Sequence, residues 1–304
     1  MRKISSLTVL CVFLTEVALC SVAPHSKQDD VTYLGFLDDH REEMVNRKPG
    51  VASQRVIRPA FEKTTSGWHR VDPSSIPGRM NWTIAFDGRK LGKVDSQAWP
   101  DEDLHLTALQ TILTPTAEVP TVGLPSDEFA GIIGMGGDTK VRRPLIVVSK
   151  PYFLDPDVWK RTKLPDETVT LVRKAFRREY PHVNRCKDEQ MAERNWKFPD
   201  SAVALTTVYG SDKHSYLVEA TLNAGDCGWV DEPDDPLSAP WFFVSADGAA
   251  RHIGSFMSLL DAGDYDNDGK SELVFFLSQG EDLDGFVLFD ANLQRQATLT
   301  WSYH

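Results

Sequence analysis

The sequence predicts a mainly β protein built from antiparallel sheets, with one inserted α-helix. Short runs of β-branched and aromatic residues recur along the chain, and clusters of Gly, Asp, Asn and Pro separate them. Only one segment carries a sustained helical period. These observations favour antiparallel sheets, and a β-sandwich is the alternative arrangement of the same strands.

The first half of the chain contains several strand signals, of which the clearest is a hairpin over residues 81–94. In that segment Asp87-Gly88 lies between alternating apolar residues, a combination that favours a type I′ turn. The other strands predicted in this half are residues 31–36, 55–61, a segment centred on Trp68 and residues 145–149.

A single helix is predicted from Asp166 to Tyr180. Val169, Val172 and Phe176 fall on one face of such a helix, which predicts that this face packs against the rest of the protein. A proline precedes the segment and another follows it, as is common at helix ends.

The second half of the chain is predicted to consist of consecutive β-strands. Residues 202–209 and 215–222 flank a Gly-Ser-Asp-Lys turn, and residues 241–245 follow a connection rich in Pro and Asp. The last four predicted strands are residues 256–260, 273–277, 286–289 and 297–303. We expect those four to form one antiparallel sheet.

An acidic loop separates the first two of those four strands. Its acidic side chains occupy loop positions 1, 3, 5 and 9, and Gly269 at position 6 permits a sharp turn. Hard oxygen ligands at alternate positions of a tight loop suit Ca²⁺. The predicted ligands are the carboxylates of Asp264, Asp266, Asp268 and Glu272 and the main-chain carbonyl of Lys270. The alternative is an acidic surface turn that binds no metal.

The loop departs from an EF-hand, which requires Glu at position 12 and a following helix. Position 12 here is Phe275, within a β-forming run. The unit resembles the FG-GAP/VCBS-type repeat, the calcium-loop blade of integrin-α-like β-propellers, with its pattern Asp-x-Asp-x-Asp-Gly-x-x-Asp. The resemblance covers roughly 45 residues, from Phe256 to Trp301, and has Glu272 where Asp is usual. It implies propeller-like blades, although the acidic loop occurs in a single copy.

The N-terminus predicts export. A short basic start precedes a mostly apolar stretch that ends in small residues, a pattern typical of a signal peptide over residues 1–23. The protein would then be secreted or periplasmic, with a β-rich region at 24–150, a helix-containing connection at 151–200 and a C-terminal β-region at 201–304. An exported compartment permits a disulfide between Cys186 and Cys227, and two free thiols are the alternative.

Charge and hydropathy narrow the choice of partners. The formal net charge of −11 argues against nucleic acid and anionic membranes as main partners. After the leader, no apolar stretch is long enough to predict a transmembrane segment. An unidentified protein or carbohydrate is the expected ligand.

The sequence favours a non-enzymatic binding or structural module in which Ca²⁺ stabilises an interstrand loop. The chain has no His-Glu-x-x-His, Gly-x-Ser-x-Gly or Cys-x-x-Cys motif. The alternative is an extracellular hydrolase acting on carbohydrate, with a structural Ca²⁺. The aromatic residues considered for sugar stacking in that case are Trp99, Trp159, Trp229 and Trp241.

Overall fold

The structure is a computed structural model in which residues 31–40, 54–99, 109–122, 144–150, 154–188, 191–225, 235, 238–279 and 283–302 are described. These residues form eighteen strands, β1–β18, and one α-helix, α1. The predicted signal peptide lies outside the described residues, as does Cys227 of the predicted disulfide. The chain from Val31 to His304 forms one compact unit.

The first seven strands form one sheet, and six of them close into a barrel. They are β1 (Thr32–His40), β2 (Gln54–Thr64), β3 (Gly67–Arg70), β4 (Arg79–Phe86), β5 (Arg89–Ala98), β6 (Gln110–Ile112) and β7 (Leu145–Val148). Their order is β1-β7-β4-β5-β6-β2-β3, and β1 also pairs with β2. Six strands therefore form a closed ring, and β3 extends it from β2. Closure removes the free edges of this sheet except at β3.

The barrel interior is apolar. Trp82, Ile84, Leu37 and Ile57 are buried there together with Val147. The β4–β5 hairpin has the predicted two-residue turn, with φ of 51° and 65° at its two central residues, as a type I′ turn requires.

A second sheet, here called the helix-side sheet, carries α1 on one face. Its strands are β8 (Lys160–Arg161), β11 (Val203–Gly210), β12 (Tyr216–Leu222), β13 (Trp241–Val244) and β14 (Ala250–Gly254), in the order β14-β13-β12-β11-β8. Helix α1 spans Asp166–Glu179 and buries Val172 and Phe176 against Phe242. A separate hairpin comprises β9 (Val183–Asp188) and β10 (Met191–Trp196).

The last four strands form the central sheet, which is buried on both faces. They are β15 (Met257–Gly263), β16 (Glu272–Ser278), β17 (Leu283–Phe289) and β18 (Arg295–Ser302), in sequence order. On β16, Val274 and Phe276 face the barrel, whereas Leu273 and Phe275 face the helix-side sheet. Because both faces are covered, β16 is continuously apolar instead of alternating.

The predicted fold class is confirmed: the protein is mainly β, its sheets are antiparallel, and one helix is inserted. The four-stranded C-terminal sheet is also confirmed. Propeller-like blades are not confirmed, because the N-terminal strands close into a barrel. The face-to-face packing of the central and helix-side sheets is compatible with the sandwich alternative. The division at residues 150 and 200 remains a prediction.

Candidate metal centre

The acidic loop leaves the central sheet at Gly263, the last residue of β15, and re-enters it at Glu272, the first residue of β16. Asn267 and Gly269 have φ of 63° and 83°, so the chain turns sharply between its acidic positions. A Cβ at Gly269 would meet no atom within 4 Å, so the glycine is required for its backbone conformation and not for space.

The structure brings together three of the four predicted carboxylates. One ligand oxygen each of Asp264, Asp266 and Asp268 lies within 4.8 Å of the other two. Asp264 is buried, Asp266 is partly buried and Asp268 is exposed. Three carboxylates this close repel one another, and a cation between them would relieve that repulsion.

Backbone amides of the loop hold these carboxylates in position. The Asp268 amide donates to Asp264 Oδ1 at 2.9 Å and to Asp266 Oδ1 at 3.1 Å, and the Gly269 amide donates to Asp264 Oδ2 at 2.9 Å. The Lys270 amide donates to Asp268 Oδ1 at 2.9 Å. A carboxylate has about four acceptor positions, so these bonds orient the oxygens and leave acceptor capacity for an ion.

Glu272 has a different environment from the three aspartates. Its Oε2 accepts a 2.8 Å hydrogen bond from the Tyr265 amide, and it lies outside the group of three convergent carboxylates. Burial, followed by the nearby charge of Asp266, raises the pKa of Glu272 to about 9. Burial also raises the pKa of Asp264, against the two backbone hydrogen bonds that lower it. The metal-free loop therefore carries carboxylates that ionise reluctantly.

The barrel supplies a cation to this loop. Lys63, near the end of β2, places its Nζ 2.7 Å from Asp266 Oδ2. The Asp266 side chain is only 5% exposed, so this ion pair is largely shielded from water. The same Nζ lies 5.6 Å from the centre of the Trp68 ring. The loop thus already binds one positive charge.

A second acidic turn, here called the Asp155 turn, comprises residues 154–159 and braces the loop. The Leu154 carbonyl accepts a 2.7 Å hydrogen bond from the Asp264 amide. The Ser271 hydroxyl donates to Asp155 Oδ1 at 2.5 Å. The same carboxylate accepts hydrogen bonds from the amides of residues 157, 158 and 159. The two turns therefore support each other directly.

The tip of the β4–β5 hairpin reaches the base of the loop. The Asp87 amide donates a 2.8 Å hydrogen bond to Asp261 Oδ1, and the Tyr265 hydroxyl lies 3.5 Å from Asp261 Oδ2. A register shift in β15 lies beside Asp261. Burial and the neighbouring carboxylate of Asp261 raise the pKa of Tyr265 well above its usual value. This contact joins the barrel to the central sheet below the acidic loop.

Two features bear on the hydrolase alternative. Ser255 Oγ lies 3.4 Å from His252 Nε2, and His252 Nδ1 lies 3.8 Å from Glu179 Oε1. Both distances exceed the usual reach of a nucleophile–base or base–acid hydrogen bond, and Ser255 is buried. Trp159 and Trp241, considered for sugar stacking, are also buried, and Trp229 lies outside the described residues.

Comparisons with protein-family models, with curated proteins and with solved structures find no match to this chain. The FG-GAP/VCBS likeness therefore rests on the loop motif and its strands alone. In the part of the chain that the structure describes, no helix has the length and apolar character needed to span a membrane.

Sequence reasoning did not identify the contact of Lys63 with Asp266, or that of Asp155 with Ser271 of the loop. Lys63 precedes Asp266 by about 200 residues and lies in a strand with no metal-binding motif. Asp155 follows a proline-containing segment that indicates only a turn. No local signal in the sequence points to these contacts.

Proposed function

We propose that this is an exported, non-enzymatic Ca²⁺-binding β protein in which the ion stabilises the loop between β15 and β16. The observation that carries the proposal is the convergence of the Asp264, Asp266 and Asp268 carboxylates on one point. Their oxygens are hard ligands, which Ca²⁺ prefers over softer donors. Lys270 would supply its main-chain carbonyl and Glu272 its carboxylate.

The location of the loop supports a stabilising role for the ion. The loop contacts the barrel through Asp266, the Asp155 turn through Asp264 and the buried apolar core of the central sheet through Tyr265. An ion that orders the loop would strengthen all three attachments. Because the ion would bind only the folded loop, its binding free energy would add to folding stability. The module would then present a rigid surface to a protein or carbohydrate ligand.

Thermal unfolding of the mature protein in EDTA and in millimolar Ca²⁺ tests this function. An ion at about 100 times its Kd stabilises the folded state by about 2.7 kcal/mol, so Tm should rise clearly in Ca²⁺. Neither Mg²⁺ nor NaCl at matched ionic strength should reproduce the rise. An unchanged Tm, together with metal-free protein by elemental analysis, would contradict calcium binding.

A further inference from the structure

We propose that Lys63 is a built-in competitor for the calcium site, a tethered ammonium group that weakens Ca²⁺ binding by neutralising Asp266. This inference rests on the proposed function, since it concerns how strongly the same loop binds its ion. It assigns a regulatory role to a barrel residue that is remote from the loop in sequence.

The geometry places the ammonium group on a ligand. Lys63 Nζ is 2.7 Å from Asp266 Oδ2, whereas Asp266 Oδ1 accepts the Asp268 amide at 3.1 Å. An ion that approaches the three aspartates must share Asp266 with the ammonium group or displace it. Among the described residues, Asp266 is therefore the one loop aspartate whose charge is compensated by a close ion pair with a strand of the barrel.

Burial makes this competition effective. The Asp266 side chain is 5% exposed and that of Lys63 is 33% exposed, so water screens the pair only partly. The other lysine at the loop, Lys270, lies 3.7 Å from Asp268 Oδ2 with its side chain 62% exposed. Exposed pairs of this kind contribute little. The barrel lysine should therefore influence the ion much more than the loop lysine does.

The positive charge of Lys63 should lower the affinity of the loop for Ca²⁺. Ca²⁺ affinity rises with the number of negative ligands, and a fixed positive charge a few ångströms from the ion repels it. Removing the Lys63 charge should tighten Ca²⁺ binding. The same change should destabilise the metal-free protein, because the repulsion among the three aspartates would lose its compensating cation.

The test compares Lys63→Met with the wild type by calorimetric titration of the EDTA-stripped, desalted protein with CaCl₂. Methionine retains a long apolar side chain beside Trp68 and removes the charge. We expect Kd for Ca²⁺ to fall by on the order of tenfold. Tm in EDTA should fall, and the Ca²⁺-induced rise in Tm should grow. A substitution that merely damaged the loop would weaken binding.

Two controls separate charge from packing. Lys63→Arg keeps the charge and should leave Kd within about twofold of the wild type. Lys160→Met removes a lysine whose partner is the exposed Asp212, 3.0 Å away, and should also change Kd by less than about twofold.

The outcomes distinguish the two proposals. An unchanged or larger Kd in Lys63→Met, with clear Ca²⁺ binding by the wild type, would overturn the competitor role and leave the calcium site standing. An absence of Ca²⁺ binding in the wild type and in every variant would overturn both.

Discussion

The acidic loop and the Asp155 turn lie side by side, and both bury carboxylates, yet their charges are compensated differently. Asp155 accepts one hydroxyl and three backbone amides. In the loop, three convergent aspartates share amide donors, and Asp266 also pairs with Lys63. Four donors therefore bond the single carboxylate of Asp155, whereas three loop amides and one lysine are shared among three aspartates. Buried acidic residues therefore indicate a ligand only where the protein's own donors are too few.

Removing the Asp155 carboxylate tests whether the hydrogen bonds to this side chain stabilise its turn independently of Ca²⁺. Asp155→Ala leaves the Ser271 hydroxyl and three amides without their acceptor, and we expect a loss on the order of 4 kcal/mol in unfolding free energy. The loss should be similar in EDTA and in Ca²⁺, as measured by urea denaturation. Asp247→Ala is the control, because Asp247 caps an exposed turn, and it should cost much less. A loss confined to Ca²⁺ conditions would contradict the distinction between the two turns.

The pH dependence of the metal-free protein tests the other side of the comparison, the carboxylates of the acidic loop. Glu272 has a folded-state pKa of about 9, raised from its ordinary 4.5. A raised pKa means that the folded state binds the proton more tightly, so this contribution is complete below about pH 4.5 and is lost as pH rises toward 9. Between pH 6 and 8 the free energy of unfolding should therefore fall as pH rises, by on the order of 1 kcal/mol per pH unit.

Urea unfolding in EDTA at several pH values, for the wild type and Glu272→Gln, isolates this contribution. Glutamine does not titrate, so the variant should lack that part of the pH dependence while retaining the contribution of every other group. Parallel pH profiles for the two proteins would show that Glu272 is ionised in the metal-free loop.

Removing one ligand should abolish the calcium effect. Asp264→Ala and Asp268→Ala should each lose the stabilisation of about 2.7 kcal/mol expected at 100 times Kd, measured as the difference in Tm between EDTA and Ca²⁺. Asp290→Ala should keep the full Ca²⁺ shift, because Asp290 caps a turn outside the loop. A wild-type shift in either ligand variant would show that the ion binds elsewhere.

The smallest expected effect concerns the loop backbone. Gly269 has φ of +83° and open space where a Cβ would lie, so Gly269→Ala should cost about 1 kcal/mol through backbone strain alone. Gly78→Ala, also in open space but without a positive φ, should change stability by less. Chemical denaturation of both variants in EDTA provides the comparison. Equal losses would mean that the loop conformation is not under this constraint.

Local features of the molecule were predictable from the sequence. The Asp87-Gly88 turn, helix α1 and the four C-terminal strands all follow from turn chemistry and apolar period, which depend on residues a few positions apart. The grouping of the three aspartates also follows from their spacing in one short loop. The position of the Glu272 side chain was harder to predict from the sequence, because its hydrogen bond to the Tyr265 amide depends on the path of the loop.

The sequence alone therefore determined most of the strands, the helix and an acidic loop with the composition of a calcium site, but it did not predict β6, β8, β9, β10 or β14. Only the tertiary structure decided that β1 pairs with β2 to close a barrel, that the central sheet is covered on both faces, and that Lys63 and Asp155 reach the loop. The physical reason is the distance along the chain over which each kind of interaction acts. Turn and strand preferences act between neighbouring residues, whereas a charge partner or a covering layer comes from a distant segment that only folding brings near.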